Sequence, residues 1–375
     1  MSIQNPERLQ KIVDQMKKDR LEAVLIMSSA GTTYLSGCNL LTQTVIPERH
    51  AYVLVQADGS QTYLVCNIEE RSARSHSHIE DIRIYVEFAE KPELAAVRLM
   101  QDVGLMHSRI GFESHTLPAG SLHRLQHGLP QAEFVPWDAQ FGATLMVKNE
   151  AEAAAIEEAG RLTHSAIIKG LTEAKPGSSE LTVANRILKG IMDSGIVAMF
   201  NVFAAGPKVL QAHAVADARI MQPGEIVRLD MGGRMASTNY LSDMARTAVV
   251  GEPNQDQAAV YAALLDIQLT VMHACRPGKT IGSLFDLCAE RFAKHKLPFS
   301  MPHIGHGMGI GLHEAPMIHH GNETLIEVGM VLNIEPLVML ADKNECYHTE
   351  DLLVVTEGDP RFLTTPQSEL IQIPV

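Results

Sequence analysis

The sequence predicts two domains of different class, an α/β domain over residues 1–148 and an α+β domain over 149–375. Three observations carry this. A chain of 375 residues is long for one core, so two domains are the expectation. Before residue 148, short apolar runs alternate with helical patterns, as in a small α/β unit. At Asn149 a helix cap is followed by Glu150 and Glu152, acidic residues suited to a first helical turn, so a new unit starts there.

In order along the chain, Leu9, Ile12, Val13 and Met16 recur at helical spacing and predict a helix over 6–17. Apolar runs predict strands at 23–27, 51–55, 62–66 and 82–85, and a helical pattern covers 92–103. The helix capped by Asn149 extends to about Leu171. Pro176-Gly177-Ser178-Ser179 breaks the chain before a second helix over 180–193. The turn signal Pro223-Gly224 precedes strands at 226–231 and 245–250. Helices follow over 255–275 and 281–295, then strands near 330–334 and 349–355. Residues 358–375 read as a surface tail with a final strand.

Composition narrows the function. Hydrophobic residues make up 46% and charged residues 20%, ordinary for a soluble globular chain. No run approaches the roughly 20 apolar residues of a membrane-spanning helix, and residues 1–8 lack a signal-peptide core. With 44 acidic and 31 Lys and Arg residues the formal charge is −13, a field that repels nucleic acid and anionic membranes, so neither is an expected partner. Cys38, Cys66, Cys275, Cys288 and Cys346 form no Cys-x-x-Cys pair, so buried reduced thiols in a cytoplasmic protein are expected.

The most telling stretch is Gly305-His306-Gly307-Met308-Gly309-Ile310-Gly311-Leu312-His313-Glu314. Its glycines leave His306 uncrowded. Neither a phosphate-binding lysine nor the dinucleotide glycine spacing accompanies them. Four carboxylates stand around it in the sequence. In 226–231 the apolar Val227, Leu229 and Met231 share one strand face, which sends Asp230 to the other. Asp243 follows 13 residues later, enough for a turn and a return strand, so the two carboxylates can meet across adjacent strands. Alone, Asp243 would read equally well as a partner for Arg246. Glu335 ends the apolar run 331–334, where burial without a cation would be costly. Glu350 opens the last strand and shares parity with His348. Four carboxylates and one imidazole suit hard or borderline divalent ions, and only strong positive charge keeps such a group ionised together.

These residues resemble those of the pita-bread metallopeptidases, the group of methionine aminopeptidase, prolidase, aminopeptidase P and creatinase. The segment with Tyr34-Leu35-Ser36-Gly37 is similar to the small N-terminal domain of the prolidase and creatinase branch, and 149–375 resembles the catalytic fold. The resemblance implies a two-ion site with manganese as first choice and cobalt, zinc or iron as alternatives. Asp230 would bind one ion and Asp243 bridge both. His306 and Glu335 would bind the other, and Glu350 would bridge. It further implies metal-assisted hydrolysis with Glu335 as general base, and with His213 and His313 holding the scissile carbonyl.

The implied activity is that of an Xaa-Pro dipeptidase or aminopeptidase acting on small prolyl peptides as a homodimer. Two positions depart from the prolidase pattern. Leu337 stands where glycine usually follows Glu-Pro, and His348 where arginine usually precedes the last ligand. Both lean toward the creatinase branch and a small non-peptide amide substrate. A non-catalytic binding protein on the same fold is the third reading, and five intact ligand positions argue against it.

Overall fold

The computed structural model describes residues 6–46 and 48–375. They divide into two compact units, Met1–Leu145 and Met146–Val375.

The N-terminal unit is built on one six-stranded mixed sheet. Its strands are β1 (Ala23–Ile26), β2 (Tyr52–Gln56), β3 (Gln61–Cys66), β4 (Asp81–Tyr85), β5 (Arg109–Phe112) and β6 (Glu133–Pro136), in the order β4-β3-β2-β1-β5-β6. β1 pairs antiparallel with β2 and parallel with β5. β1 is buried at every position, which is why it reads as an unbroken apolar run. The helix Pro6–Asp19 buries Ile12, Val13 and Met16, as its spacing predicts. β5 and β6 have no counterpart among the predicted strands. They are four residues each, too short for periodicity to register.

The C-terminal unit stacks two pairs of helices on two antiparallel-rich sheets. β7 (Ile196–Ala205), β8 (Ile226–Met235) and β9 (Leu241–Val250) form a sheet completed by β17 (Ile371–Ile373), in the order β17-β9-β8-β7. The helices Glu150–Thr172 and Glu180–Asp193 supply Ile167, Leu171, Val183, Ile187 and Ile191, which pack against Val227, Leu229 and Met231 of β8. The first of these helices starts with a reciprocal capping box. The Asn149 side chain accepts from the Glu152 backbone, and the Glu152 side chain accepts from the Asn149 backbone.

The second sheet has the order β11-β10-β12-β15-β16. Its members are β10 (Gly305–Gly307), β11 (Glu314–Met317), β12 (Val331–Ile334), β15 (Asp351–Val354) and β16 (Arg361–Phe362). The helices Gln255–Ala274 and Ile281–His295 cover it through Leu264, Ile267, Val271, Leu284 and Phe292. A hairpin of β13 (Leu337–Leu340) and β14 (Glu345–His348) lies between β12 and β15 in the chain.

Two expectations change. β8 runs on to Met235, so Asp230 lies inside a strand and not at its end. Gly232 stays in that strand because a Cβ there would meet the carbonyl oxygen of Ser242 at 2.0 Å, and only glycine lets β8 and β9 approach so closely. The stretch 358–375 is also not a surface tail. Leu363, Leu370 and Ile373 are buried, and β17 closes the parallel edge of β9. The Gln367 side chain donates to the carbonyl of Thr247 at 2.7 Å, and the Thr364 hydroxyl donates to Asp351 at 2.8 Å. Thr364 and Gln367 direct their hydrogen bonds inward, which composition alone disguises.

Removing residues 368–375 should therefore cost the burial of Leu370 and Ile373, about 3–6 kcal/mol together and about 10 °C in Tm. Calorimetry of the shortened chain checks this. An unchanged Tm would mean the closing strand contributes nothing.

Candidate metal centre

The register of β8 against β9 pairs Asp230 with Ala245 and Gly232 with Asp243. Positions two apart on paired strands share a face, so both carboxylates project from the side opposite the helices. On the second sheet, His306 of β10 lies opposite Asn333 of β12. Ile334 pairs with Asp351, which leaves Glu335 and Glu350 side by side where the ladder ends. Gly305, with φ of 153°, lets β10 run tight against β12, since a Cβ there would meet the Asn333 carbonyl oxygen at 2.0 Å.

One ligand atom each from Asp243, His306 and Glu350 lies within 4.8 Å of the other two. His306 Nε2 is 3.6 Å from Asp243 Oδ2 and 3.7 Å from Glu335 Oε1. Glu335 is flanked by two further imidazoles, with His303 Nδ1 at 3.4 Å from Oε1 and His348 Nε2 at 3.8 Å from Oε2. Asp230 joins the cluster electrostatically, feeling both His348 and Glu335. His213 lies in an exposed turn and acts on Asp230 through its charge. The exposed His313 sets its ring 4.1 Å from that of His306 and 6.4 Å from that of His303. Of the seven residues singled out by sequence, distances tie together Asp243, His306, Glu335, Glu350 and His313, while Asp230 and His213 join through electrostatics alone. Arg246 is not the partner of Asp243, because its guanidinium binds Asp351 at 2.8 Å.

The electrostatics of this group are unfavourable for protein alone. Burial first, then mutual repulsion, pushes Asp243 and Glu350 well above the usual carboxylate range. Burial raises Asp230 as well. Glu335 also faces a burial penalty, but the imidazoles of His303, His348 and His306 beside it hold it low. Burial pushes His306 down, toward the neutral imidazole.

The hydrogen bond between His306 Nδ1 and the Gly307 carbonyl, 3.0 Å, requires the proton on Nδ1. The Nε2 lone pair then points at carboxylate oxygens. Among the described residues, His306 Nε2, Asp230 Oδ1, Glu335 Oε1 and Glu350 Oε2 are buried without a hydrogen-bond partner. A lone pair and three carboxylate oxygens buried without a partner are what a divalent cation satisfies, and the oxygen-rich donor set fits a hard or borderline ion.

Three supporting residues escaped sequence reasoning. Asn333 is fully buried and its Nδ2 donates to Glu350 Oε1 at 2.5 Å, fixing one oxygen and leaving the other free. Its signal was a polar residue in the apolar run 331–334. Arg246 holds the carbonyl of Glu350 at 2.7 Å and the Asp351 carboxylate behind it. Arg228, two residues before Asp230, donates to the carbonyls of Gln211 at 2.8 Å and Ala212, and so fixes the turn ahead of His213. No spacing in the sequence announces contacts over that distance.

The two sheets with their paired helices form the pita-bread fold, preceded by a creatinase-like N-terminal domain. Residues 154–357 match Metallopeptidase family M24 and residues 8–143 match the Creatinase/Prolidase N-terminal domain. The chain belongs to metallopeptidase family M24. It is 28% identical over 376 residues to an Xaa-Pro dipeptidase of Pyrococcus horikoshii, covering 99% of this chain and 100% of that one. Among solved structures it is similar to the prolidase from Pyrococcus horikoshii, with a TM-score of 0.84, 27% identity and coverage of 97% and 100% of the two chains. A dipeptidase from Mycobacterium ulcerans gives a TM-score of 0.85 at 27% identity, with 98% of each chain covered.

Replacing Asp243 by Asn removes one of the mutually repelling buried acids. The metal-free Asp243→Asn protein should melt no lower than the metal-free parent, while losing the rise in Tm that added manganese gives the parent. Thermal melts with and without metal, alongside elemental analysis, test this; retained metal would remove Asp243 from the ligand set. Asn333→Ala should weaken metal binding about 10–100-fold with the fold intact, as loss of a ligand's orienting partner does. Calorimetric titration measures it.

Proposed function

We propose that this metallopeptidase is an Xaa-Pro dipeptidase that hydrolyses the N-terminal peptide bond of short prolyl peptides. It is proposed to use two divalent ions, manganese foremost, held by Asp230, Asp243, His306, Glu335 and Glu350. The observation that carries the reading is the close approach of Asp243, His306 and Glu350, together with the buried, unpartnered atoms of Asp230, His306, Glu335 and Glu350. The activity printed for relatives of matching length supports the substrate class.

Bound there, the cations would supply Lewis acidity and lower the pKa of a water molecule at the site. The chain's own residues do the rest. Glu335 takes the proton of the attacking water and delivers it to the leaving nitrogen as the C–N bond breaks. His303 and His348 flank Glu335 and keep its carboxylate ionised and oriented. His313, stacked on His306, and His213 donate hydrogen bonds to the carbonyl oxygen as negative charge develops on it.

The protein is further proposed to work in the cytoplasm as a homodimer, with neither nucleic acid nor membrane as partner. The five unpaired, buried cysteines support the compartment and the formal charge of −13 the absence of those partners, while the homodimer rests on family resemblance. Among the described residues, no helix is long and apolar enough to cross a membrane. For the domains, the proposed division is 1–148 and 149–375, with the capping box at Asn149 as its support, although Met146, Val147 and Lys148 already pack with the C-terminal unit.

A panel of Xaa-Pro dipeptides, assayed with manganese and again after chelation, should show turnover that chelation abolishes. Cleavage of a small non-peptide amide with no dipeptide turnover would move the assignment to the creatinase branch. Glu335→Gln should lower kcat about 10²–10⁴-fold, the usual contribution of a positioned base. Steady-state kinetics on metal-loaded protein gives the number, and a loss below tenfold would place the proton elsewhere.

A further inference from the structure

We propose that the buried ion pair between Lys148 and Glu314 is a positioning device for loop 308–313, and that Lys148 acts on substrate through His313. The proposal rests on the reading of His313 as a substrate contact.

The Lys148 side chain is fully buried, and its Nζ lies 2.7 Å from Glu314 Oε2. Lysine is rarely enclosed this way without a partner. Such a pair adds little stability over well-packed apolar residues of the same volume, so packing alone is a weak reason for it. Its geometry points to another role.

Both ends of Lys148 are fixed. Its backbone N–H donates to the Gly329 carbonyl at 2.8 Å, and the preceding Val147 forms an antiparallel bridge with Met330 at the edge of β12. The ammonium is therefore a rigid reference point in the C-terminal unit. Glu314 spans from that point to the loop. While Oε2 takes the lysine, Oε1 accepts the Gly311 N–H at 2.7 Å. Farther along, the Gly309 carbonyl accepts from Leu241 N at 2.9 Å, at the start of the strand that carries Asp243.

His313 sits between Gly311 and Glu314, with its ring 4.1 Å from that of His306. Gly309 and Gly311 leave the loop little stiffness of its own. The Glu314 carboxylate, oriented by Lys148, therefore sets the peptide that leads into His313.

Lys148→Met removes the charge at similar volume, and Glu314→Gln keeps an acceptor for Gly311 while weakening the pair. Both should raise amide hydrogen exchange in 309–313 and lower kcat/KM on an Xaa-Pro dipeptide about tenfold, a loss in keeping with displaced positioning groups. Manganese affinity should stay within about twofold, because neither residue is a ligand, and Lys148→Arg should recover part of the activity.

The decisive measurement is the double variant. In the His313→Ala background, Lys148→Met should change kcat/KM by less than about twofold, since it acts through a side chain no longer present. A further tenfold loss there, or exchange in 309–313 matching the parent, would overturn the proposal. Should Lys148→Met fail to fold, Glu314→Gln in the same background decides. If His313→Ala alone leaves kcat/KM intact, the assignment of His313 fails, and the exchange data still report whether the pair holds the loop.

Discussion

Four carboxylates held within reach of one another inside a protein are the constraint on which the rest of this structure depends. Each loses solvation on burial, and each makes ionisation of the next more costly. Asp243 and Glu350 carry the largest share, being almost fully enclosed and raised well above the usual carboxylate range. A hydrophobic interior has no reason to assemble such a group. The sequence has to force it with strand register and close backbone contact, and the energy is recovered only when positive charge arrives.

The register supplies the force. β8 and β9 fix Asp230 and Asp243 on one face because their alternate positions, Val227, Leu229 and Met231, are committed to the helix-covered core. A slip by one residue would bury the acids among those helices and expose the apolar set, so the hydrophobic core defines where the carboxylates point. The second sheet repeats the logic, with Leu332 and Ile334 in its core and Asn333 directed at His306 and Glu350. Glycines at 232 and 305 then bring the strands closer than any side chain would allow. The site is thus a by-product of two ordinary helix-on-sheet cores whose faces turned away from the helices carry the chemistry.

Much of this was legible in the sequence. Parity placed Asp230 opposite its apolar neighbours, the 13-residue interval placed Asp243 on the return strand, and the cap at Asn149 marked a helix that begins there. The strands β5, β6, β10, β11, β13 and β14 escaped because they have three or four residues, and over that length a period of two cannot be told from chance. The ten-residue β7 escaped because its nearly unbroken apolar run has no alternation to read. Asn333, Arg228, Arg246 and Lys148 act through contacts reaching as far as 166 residues along the chain, as from Lys148 to Glu314. Local pattern holds no record of such pairs. The stretch 358–375 misled for a related reason, since its polar residues read as solvent-facing until their partners in β9 and β15 are known.

The supporting layer explains why the cluster can be strained yet ordered. Arg246 is almost entirely buried and grips the Glu350 carbonyl, the Asp351 carboxylate and the Thr365 carbonyl at once. Breaking such a buried network costs far more than the network adds, so it resists displacement even when the acids in front of it repel. Asp351 is held in turn by Thr364 and Gln268, so the strand carrying Glu350 is pinned from behind at several points. A carboxylate free to swing would relieve the repulsion by turning to solvent. Held in place, it keeps the site in the geometry a cation needs, and the unfavourable energy of the metal-free state becomes affinity for the ion that removes it.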